Sequence, residues 1–472
     1  MGICTLITPI NEPRHFGAEE LFFSTTDLKG RIQRANSVFQ RIAGYSWDEL
    51  RNKPHNIIRH PDMPRVVFQI LWDYIQSGKP VVALVKNLAH DGRYYWVVAL
   101  VVAIPEGYLS VRFKPTSPLL AAVESLYAEL KAVEVAIESV ANDRKAAIVA
   151  SREALNTSLR ALGFSDYDGF MQHVLKVEMQ SREASLSKLA LSATEPGAAS
   201  QSARLDSFKA EAELFDNLFE ALNVLFTDLE IYAEINHGVR AKSRNVTDIS
   251  DSLRVSALNG VIEVDRLGTA ATGLRPVLGW LRELSGEITQ EGVRLSVSLE
   301  KLAKDMDLVV FDLSAAKLQT EMTARFAHEL LDHASAGHFN EGTDRMTEGA
   351  IGRLHASSCD TVGRALGGLS AIKDRLKTLT ESQIKLLESS HALRPIYLTG
   401  RIEMADGAGA KLATVFKDVG EQLEETAMNL NGLKNLLQDL EAHLVSGLSR
   451  GERVEEAIAQ IDAHMNAAGV SL

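Results

Sequence analysis

The stretch VVALVKNLAHDGRYYWVVALVVAIPEGYLSVRFK, residues 81–114, contains three apolar runs of strand length separated by two short turn sequences. The turns are His90-Asp91-Gly92 and Pro105-Glu106-Gly107, and Gly and Pro at such points interrupt regular structure. Turns this short join antiparallel neighbours, so the stretch predicts part of an antiparallel sheet. Its predicted strands cover residues 81–88, 94–104 and 108–114.

The residues before this stretch supply the rest of a small mixed domain. Two further strand-like runs, 21–25 and 32–34, flank the turn Asp27-Leu28-Lys29-Gly30 and predict a hairpin. Short helical patterns follow at 37–44 and 47–51, and residues 64–77 carry apolar side chains at helical spacing. The order of these elements predicts an α+β domain with a five-stranded antiparallel sheet and helices on one side.

Four strings within residues 19–117 resemble the PAS domain of bacterial aerotaxis receptors. They are NSVF (36–39), GYS (44–46) followed by Glu49-Leu50, PHNIIRHPDMP (54–64), and VKN (85–87) with DGRYYW (91–96). In that family the domain binds FAD and senses redox state, so the resemblance implies a flavin sensor. It also places five residues at positions that hold the flavin: Asn36, Arg59, His60, Asp62 and Trp72.

Those residue types suit a flavin on chemical grounds as well. The ring needs an apolar slot with an aromatic wall such as Trp72, and its carbonyls or phosphates need donors such as Arg59 and His60. Three alternatives stay open. In the first, Arg59 and Asp62 only pair and cap the helix that Pro64 opens, while Trp72 belongs to the core. In the others the PAS pocket is empty or differently liganded, or it binds haem.

The chain after the PAS-like domain is poor in proline and is predicted to be helical. Nine of the 12 prolines lie at or before Pro118, and only Pro196, Pro276 and Pro395 follow. Since proline costs about 3 kcal/mol in a helix interior, long helices are permitted there. Residues 1–18 are predicted as a tail, and residues 118–200 as a connector with helices over 116–162 and 170–192 and a linker at 194–200.

Heptad spacing marks the helical body. Ten positions, nine of them apolar, alternate spacings of four and three over residues 412–444, and shorter seams run over 214–232 and 295–313. Such seams are typical of coiled coils and helical bundles. We therefore predict a long all-α coiled coil or four-helix bundle after the PAS-like domain.

Residues 257–284 resemble the hairpin tip of methyl-accepting chemotaxis receptors, which contacts a histidine kinase and a coupling protein. The matching residues are ALNGVIE (257–263), Arg266, Gly268, Gly273 and LREL (281–284). The chain departs from the family pattern at Thr269, Thr272, Pro276 and Trp280. The resemblance implies a partner-binding tip formed by Asn259, Glu263, Arg266, Leu274, Trp280 and Arg282.

The helical body also contains an internal repeat. Six of the eleven positions in 253–263 recur in 393–403 at an offset of 140, and Val277 recurs as Val415 at an offset of 138. One hairpin cannot bury its seam alone, so we predict an intramolecular pseudo-dimer, with a homodimer as the alternative. The two predicted hairpins are 201–340 and 341–472, with turns near 268–273 and 407–409 and a glycine-rich joint at 337–349.

The charge, the cysteines and the motifs of the chain limit its possible functions. Acidic residues exceed Lys plus Arg by 12, and this excess of negative charge disfavours nucleic-acid binding. The chain has two cysteines, Cys4 and Cys359, which is typical of a protein in the reducing cytoplasm. No apolar run reaches the roughly 20 residues of a membrane span, and residues 1–19 lack a signal-peptide pattern. His328 and His333 are five apart and share no helix face, and no catalytic motif is found, so neither a metal site nor an enzyme is predicted.

These expectations combine into one leading function and one alternative. The leading function is a cytoplasmic sensor of redox state or oxygen, in which a PAS-bound flavin signals through Pro118 and the following helices to protein contacts of the bundle. The alternative is a non-catalytic scaffold or regulator that binds proteins through the PAS domain and the diverged bundle, without a cofactor. In that alternative Trp280 and Leu274 are exposed docking residues.

Overall fold

The computed structural model describes residues 7–189, 203–227, 229–268, 272–335, 341–404 and 410–467. Several predicted features lie outside these ranges: Cys4, the linker at 194–200, Thr269, the first residues of the glycine-rich joint and the turn at 407–409. The chain divides into two compact units. The first unit draws on Met1–Phe226, Val310–Arg364 and Glu452–Leu472, and the second on Thr227–Val309 and Ala365–Gly451. The five domain ranges predicted from the sequence stay predictions.

The N-terminal part of the first unit is built on a five-stranded antiparallel sheet with the order β2-β1-β5-β4-β3. Phe23 lies opposite Val111 in its register, and Val85 lies opposite Val97. The predicted α+β domain is therefore confirmed, and every strand begins and ends within two residues of its predicted limits. The strands are β1 Phe22–Asp27, β2 Ile32–Ala35, β3 Val81–Leu88, β4 Tyr94–Ile104 and β5 Gly107–Phe113.

Local capping sequences fix where the short helices of this domain begin and end. The Asn36 side chain accepts a hydrogen bond from the Phe39 N–H at the start of α1, and Gly44 ends that helix at φ 74°. Ser46 and Glu49 form a capping box at the start of α2. Helix α1 packs on β1, and α3 packs on β3 and β4. The helices are α1 Ser37–Ala43, α2 Trp47–Leu50 and α3 Arg65–Gln76, with a 3-10 turn at His55–Ile58.

The connector contains three helices, α4 Leu119–Ala141, α5 Arg144–Ala161 and α6 Tyr167–Leu189. The single helix predicted over 116–162 is therefore wrong. The break falls at Asn142, which adopts a left-handed conformation at φ 49° and ends α4. Asp143 then caps α5 by accepting from the N–H groups of Lys145 and Ala146. Asn and Asp favour local bonding of this kind over helix continuation.

Long helices follow the connector, and the predicted seams over 295–313 and 412–444 are buried. They are α7 Ala203–Thr227, α8 Leu229–Leu267, α9 Leu274–Ser335, α10 Glu341–Met404 and α11 Ala410–Ala467. All ten seam positions between Leu412 and Leu444 are buried. Among the described helices, none combines the length and the apolar character that crossing a bilayer requires.

In the first unit, the ends of these long helices pack against the PAS-like domain. Phe23 of β1 meets Phe326 of α9 edge to face, with ring centroids 4.9 Å apart. The backbone N–H of Ser37 donates to the Glu329 carboxylate at 3.0 Å. Strand β1 and the start of α1 are therefore anchored to the same segment of α9.

In the second unit, segments of α8, α9, α10 and α11 contact one another within a single chain. The hydroxyl groups of Ser243 and Ser296 join α8 to α9 at 2.9 Å, and the Gln383 amide donates to the Leu430 carbonyl at 3.0 Å between α10 and α11. The Tyr232 hydroxyl donates to the His443 carbonyl at 3.0 Å, which links α8 to α11. Helices of both predicted hairpins therefore contact one another within the second unit.

Candidate functional site

A cavity of about 220 Å³ lies between α3, the 3-10 turn and the sheet of the first unit. One wall is aromatic, because the rings of Trp72 and Tyr108 stand perpendicular with centroids 5.4 Å apart. Gly30, at φ 73°, allows this wall to close, since a Cβ there would lie 3.0 Å from the Trp72 ring. The apolar and aromatic lining consists of Phe68, Leu71, Trp72, Ile75, Val85, Ala99, Val101 and Tyr108.

The polar lining of this cavity is cationic. Lys29, Arg59 and Arg112 contribute positive charge, and none of the described residues that line the cavity is acidic. Such a surface favours a ligand that carries negative charge or several hydrogen-bond acceptors. The remaining polar lining residues are Ser24, Thr26, His55, Asn56, Asn87 and Ser110.

Arg112 of β5 is the most deeply buried of these cations. Its guanidinium donates to the Ser24 hydroxyl at 3.0 Å and lies 2.8 Å from His55 Nε2. No carboxylate in the described parts of the chain pairs with it, and burial lowers the pKa of Arg112 to about 10. A buried charge without a counter-ion is costly, so a ligand that places a hydrogen-bond acceptor beside Arg112 would be favoured in this cavity.

The neighbours of Arg112 are arranged around a neutral imidazole. Burial, followed by the positive charge of Arg112, holds the pKa of His55 well below its usual value of 6.5. Neutral His55 can therefore accept from the Arg112 guanidinium through Nε2. The Asn87 amide nitrogen and the Ser110 hydroxyl are buried and have no hydrogen-bond partner among the described residues. Buried polar atoms of this kind are normally satisfied, which makes them candidate ligand contacts.

Two of the five predicted flavin residues, Arg59 and Trp72, line the cavity. The Arg59 guanidinium lies 3.9 Å from the centroid of the Phe68 ring and donates to the Met63 carbonyl at 3.3 Å. The backbone of Arg59 forms an isolated bridge with Asn87, which fixes the turn against β3. Burial lowers the pKa of Arg59 to about 10, and the carboxylate of Glu134 acts in the opposite direction.

The structure places Asn36, His60 and Asp62 away from the cavity lining. Asn36 is 2% exposed and ties β1 to α1, since its side chain accepts from Phe23 N–H and donates to the Leu21 carbonyl. Asp62 lies at the surface and forms an ion pair with Lys86 at 2.7 Å. His60 is buried beside Asp62, and its Nδ1 accepts from the Asp62 N–H at 3.2 Å. Flavin contact by these three residues stays a prediction.

The sequence did carry a signal for the residues that were missed. Ser110 and Arg112 are two apart in an otherwise apolar strand, so they face the same side of the sheet. A serine and an arginine on one face of such a strand indicate a polar pocket wall. The residues missed are Lys29, His55, Asn56, Phe68, Asn87, Tyr108, Ser110 and Arg112.

The predicted partner-binding residues lie in the second unit. Asn259, Arg266, Trp280 and Arg282 are exposed, and Trp280 exposes 58% of its surface. Glu263 is half-buried and forms an ion pair with Arg266 at 3.4 Å. The expected exposure of Leu274 is wrong, because this first residue of α9 is only 3% exposed and belongs to the apolar core.

Comparison with known proteins identifies the fold of the PAS-like domain. Residues 32–109 match the sequence model of the PAS fold. Over 131 residues the chain is 39% identical to the aerotaxis receptor of Escherichia coli (strain K12), covering 27% of this chain and 26% of the receptor. Over 74 residues it is 32% identical to the nitrogen fixation regulatory protein of Klebsiella pneumoniae, covering 16% and 15%. The chain thus spans about a quarter or less of these relatives, and its first unit contains a PAS fold.

Proposed function

We propose that the PAS fold of this chain binds FAD and that the protein is a cytoplasmic, non-enzymatic sensor of redox state or oxygen. The observation that carries the proposal is the apolar, aromatic-walled cavity whose buried cation, Arg112, has no carboxylate partner among the residues that the structure describes. The similarity to an aerotaxis receptor over 131 residues supports the same function. When bound, the flavin supplies a reversible electron-transfer centre whose charge depends on its oxidation state.

The cavity residues fit a flavin in kind and in number. Trp72, Phe68 and Tyr108 offer aromatic surface to a planar ring. Arg112 and Arg59 would donate to ring carbonyls or phosphate, as guanidinium groups do readily. The unpartnered Asn87 amide and Ser110 hydroxyl would complete the polar contacts. A haem would leave this excess of donors largely unused, which is why we favour the flavin.

The same proposal includes a relay that starts at helix α3. This helix carries Phe68 and Trp72 in the cavity, and its first N–H groups are capped from the connector. Glu134 of α4, which is fully buried, accepts from the N–H groups of Arg65 at 2.9 Å and Val66 at 3.0 Å. If a change in the charge of the bound ligand shifted α3, the Glu134 carboxylate would therefore transmit that movement to α4.

Two further buried contacts extend the relay from α4 to α9. Glu178 of α6 accepts from the N–H groups of Thr116 and Ser117 and from the Ser117 hydroxyl, just before α4 begins at Leu119. One turn later on α6, the Arg182 guanidinium donates to both carboxylate oxygens of Glu321 in α9. Each step is a buried charged contact, which favours discrete rearrangement over gradual bending.

Hydrogen exchange of the full chain in its oxidised and chemically reduced states tests this function. We expect the protection of amides in α6 and in the first-unit part of α9 to differ between the two states. Glu134→Gln should retain the flavin but reduce that difference, whereas Glu138→Gln, in the half-exposed ion pair with Arg65, should preserve it. Identical exchange of the wild-type protein in both states would contradict the relay.

The output proposed for this sensor is protein contact by the second unit, with a chemotaxis histidine kinase and its coupling protein as the partners. Trp280 is the largest exposed apolar side chain in the predicted tip. We expect Trp280→Glu to weaken partner binding at least about tenfold, as loss of an interface tryptophan commonly does. Val297→Glu, at a 65% exposed position in the same helix, is the matched control. Unchanged binding by Trp280→Glu would exclude this surface.

A further inference from the structure

We propose that His355, Cys359 and Asp462 bind one zinc-class metal ion in the first unit. His355 and Cys359 lie four residues apart in α10, and Asp462 lies in α11. Their ligand atoms, an imidazole nitrogen, the thiol sulfur and a carboxylate oxygen, all lie within 4.8 Å of one another. This cluster is separate from the PAS cavity and plays no part in the proposed sensing.

Two distances within the cluster can be compared with those of a tetrahedral site. The His355 Nε2 and Asp462 Oδ1 atoms are 2.8 Å apart, and the Cys359 sulfur is 3.5 Å from Nε2 and 3.7 Å from Nδ1 of the same ring. Zinc bonds of about 2.0–2.3 Å in tetrahedral geometry place ligand atoms about 3.3–3.8 Å apart. The nitrogen and oxygen would therefore separate by about half an ångström to admit the ion.

The three donor types select the metal. A thiolate and a carboxylate together balance the charge of a divalent cation, and a neutral imidazole completes a set that suits zinc. Magnesium and calcium prefer sites made only of oxygen, so the sulfur and nitrogen donors disfavour them. Three protein ligands leave a fourth position, which a water molecule or a partner's side chain could fill.

Metal binding would change the protonation of the cluster. A metal ion binds a neutral imidazole and a deprotonated thiol, so a cation that binds here releases the Cys359 proton to solvent. The bound cation would replace the contacts that now join His355 to Asp462 and to Cys359.

The surroundings provide support on one side and access on the other. His355 is 1% exposed, and its ring packs edge to face on Phe215 of α7 with centroids 5.5 Å apart, which holds the imidazole in place. The Asp462 side chain is 41% exposed, so an ion can enter from its side. The bound ion would join α10 to α11 and stabilise the folded first unit by mass action.

Cobalt and zinc titrations of the full chain test the site. With Co²⁺, we expect a thiolate-to-cobalt absorption band that saturates at about one equivalent and is displaced by Zn²⁺. Cys359→Ser and Asp462→Asn should each weaken zinc binding at least about tenfold. His328→Asn is the matched control, because His328 forms a similar pair with Asp216 at 2.9 Å on other helices.

Two results would overturn the proposal. One is a wild-type protein that shows no cobalt–thiolate band and retains no zinc after dialysis. The other is zinc binding by Cys359→Ser with wild-type affinity, which would place the ion elsewhere. Because the cobalt band is read on the wild-type chain, the test holds even where a variant folds poorly.

Discussion

The guanidinium of Arg182 donates to both carboxylate oxygens of Glu321, at 2.7 and 2.8 Å, and both side chains are buried. The same guanidinium donates through Nε to the Ala18 carbonyl at 2.7 Å. One side chain of the connector therefore holds both the segment before β1 and helix α9. Bidentate geometry of this kind fixes orientation as well as distance, which suits a joint that must transmit movement.

Loss of Arg182 is predicted to destabilise the first unit strongly. Arg182→Met would leave the buried Glu321 carboxylate with Arg325 as its remaining ion-pair partner among the described residues, at an expected cost of about 3–5 kcal/mol in the free energy of unfolding. Arg325→Met removes the half-exposed partner of the same carboxylate and should cost about 0–1 kcal/mol. Urea unfolding monitored by circular dichroism measures the free energy of unfolding of both variants. Equal losses of stability in the two variants would contradict this prediction.

Glu134 is predicted to stabilise the start of α3. Glu134→Gln keeps the size of the side chain but turns an amide donor towards one of two backbone N–H groups, at a cost of about 1–2 kcal/mol. Glu138→Gln, one turn further along α4, serves as the control and should cost less than about 1 kcal/mol. The comparison uses thermal unfolding of the full chain. Similar melting temperatures for the two variants would show that the cap contributes nothing.

The repeated glycines Gly260 and Gly400 are predicted to be essential for close packing in the second unit. A Cβ on Gly260 would lie 2.8 Å from Leu278, and one on Gly400 would lie 2.1 Å from the Phe416 ring. Gly400→Ala should therefore destabilise the chain by about 1–3 kcal/mol. Gly286→Ala in α9, where nothing lies within 4 Å, should stabilise it by about 0.5–1 kcal/mol. Stabilisation by both substitutions would disprove the close contact.

His55 is predicted to make the folded state less stable as the pH falls below 6.5. Its pKa is lowered in the folded chain by burial and by Arg112, so below 6.5 the unfolded chain binds the extra proton. The unfolding free energy should then fall by up to about 1.4 kcal/mol per pH unit until the folded pKa is reached. Burial lowers the pKa values of His60, His173 and His355 as well, and these act in the same direction.

Unfolding free energies at about pH 7 and about pH 5.5 measure this effect. His55→Asn should lose less stability over that interval than the wild-type chain. A His55→Asn protein with an unchanged pH dependence would rule out His55 as a contributor.

Local patterns were sufficient to predict the sheet, whereas the site required contacts distant in sequence. Strand runs and turn sequences predicted β3 to β5 closely, since continuous apolar runs of strand length and Gly-containing turns are local signals. The break at Asn142 was missed because the apolar pattern on either side continues at helical spacing. Arg112, His55 and Ser24 lie in different elements and meet only after the sheet forms.

The internal repeat illustrates how sequence similarity reflects shared packing. Leu253 and its repeat Leu393 are both fully buried, whereas Ile262 and its repeat Ile402 are both exposed. Gly260 faces Leu278 and Gly400 faces Phe416, and these partners are themselves 138 residues apart. The offsets of 140 and 138 therefore correspond to matching contacts in the two hairpins.

Flavin binding by the cationic cavity through Arg112 is tested most directly by the visible absorption spectrum of the purified full chain. We expect the bands of an oxidised flavin at about one equivalent per chain, and at least about a tenfold loss of affinity in Arg112→Met. Because no carboxylate in the described ranges pairs with Arg112, this variant should remain as stable as the flavin-free wild type. Arg93→Gln, in a surface ion pair with Asp91, should retain the spectrum. A colourless wild-type protein that takes up no FAD on reconstitution would contradict flavin binding by this cavity.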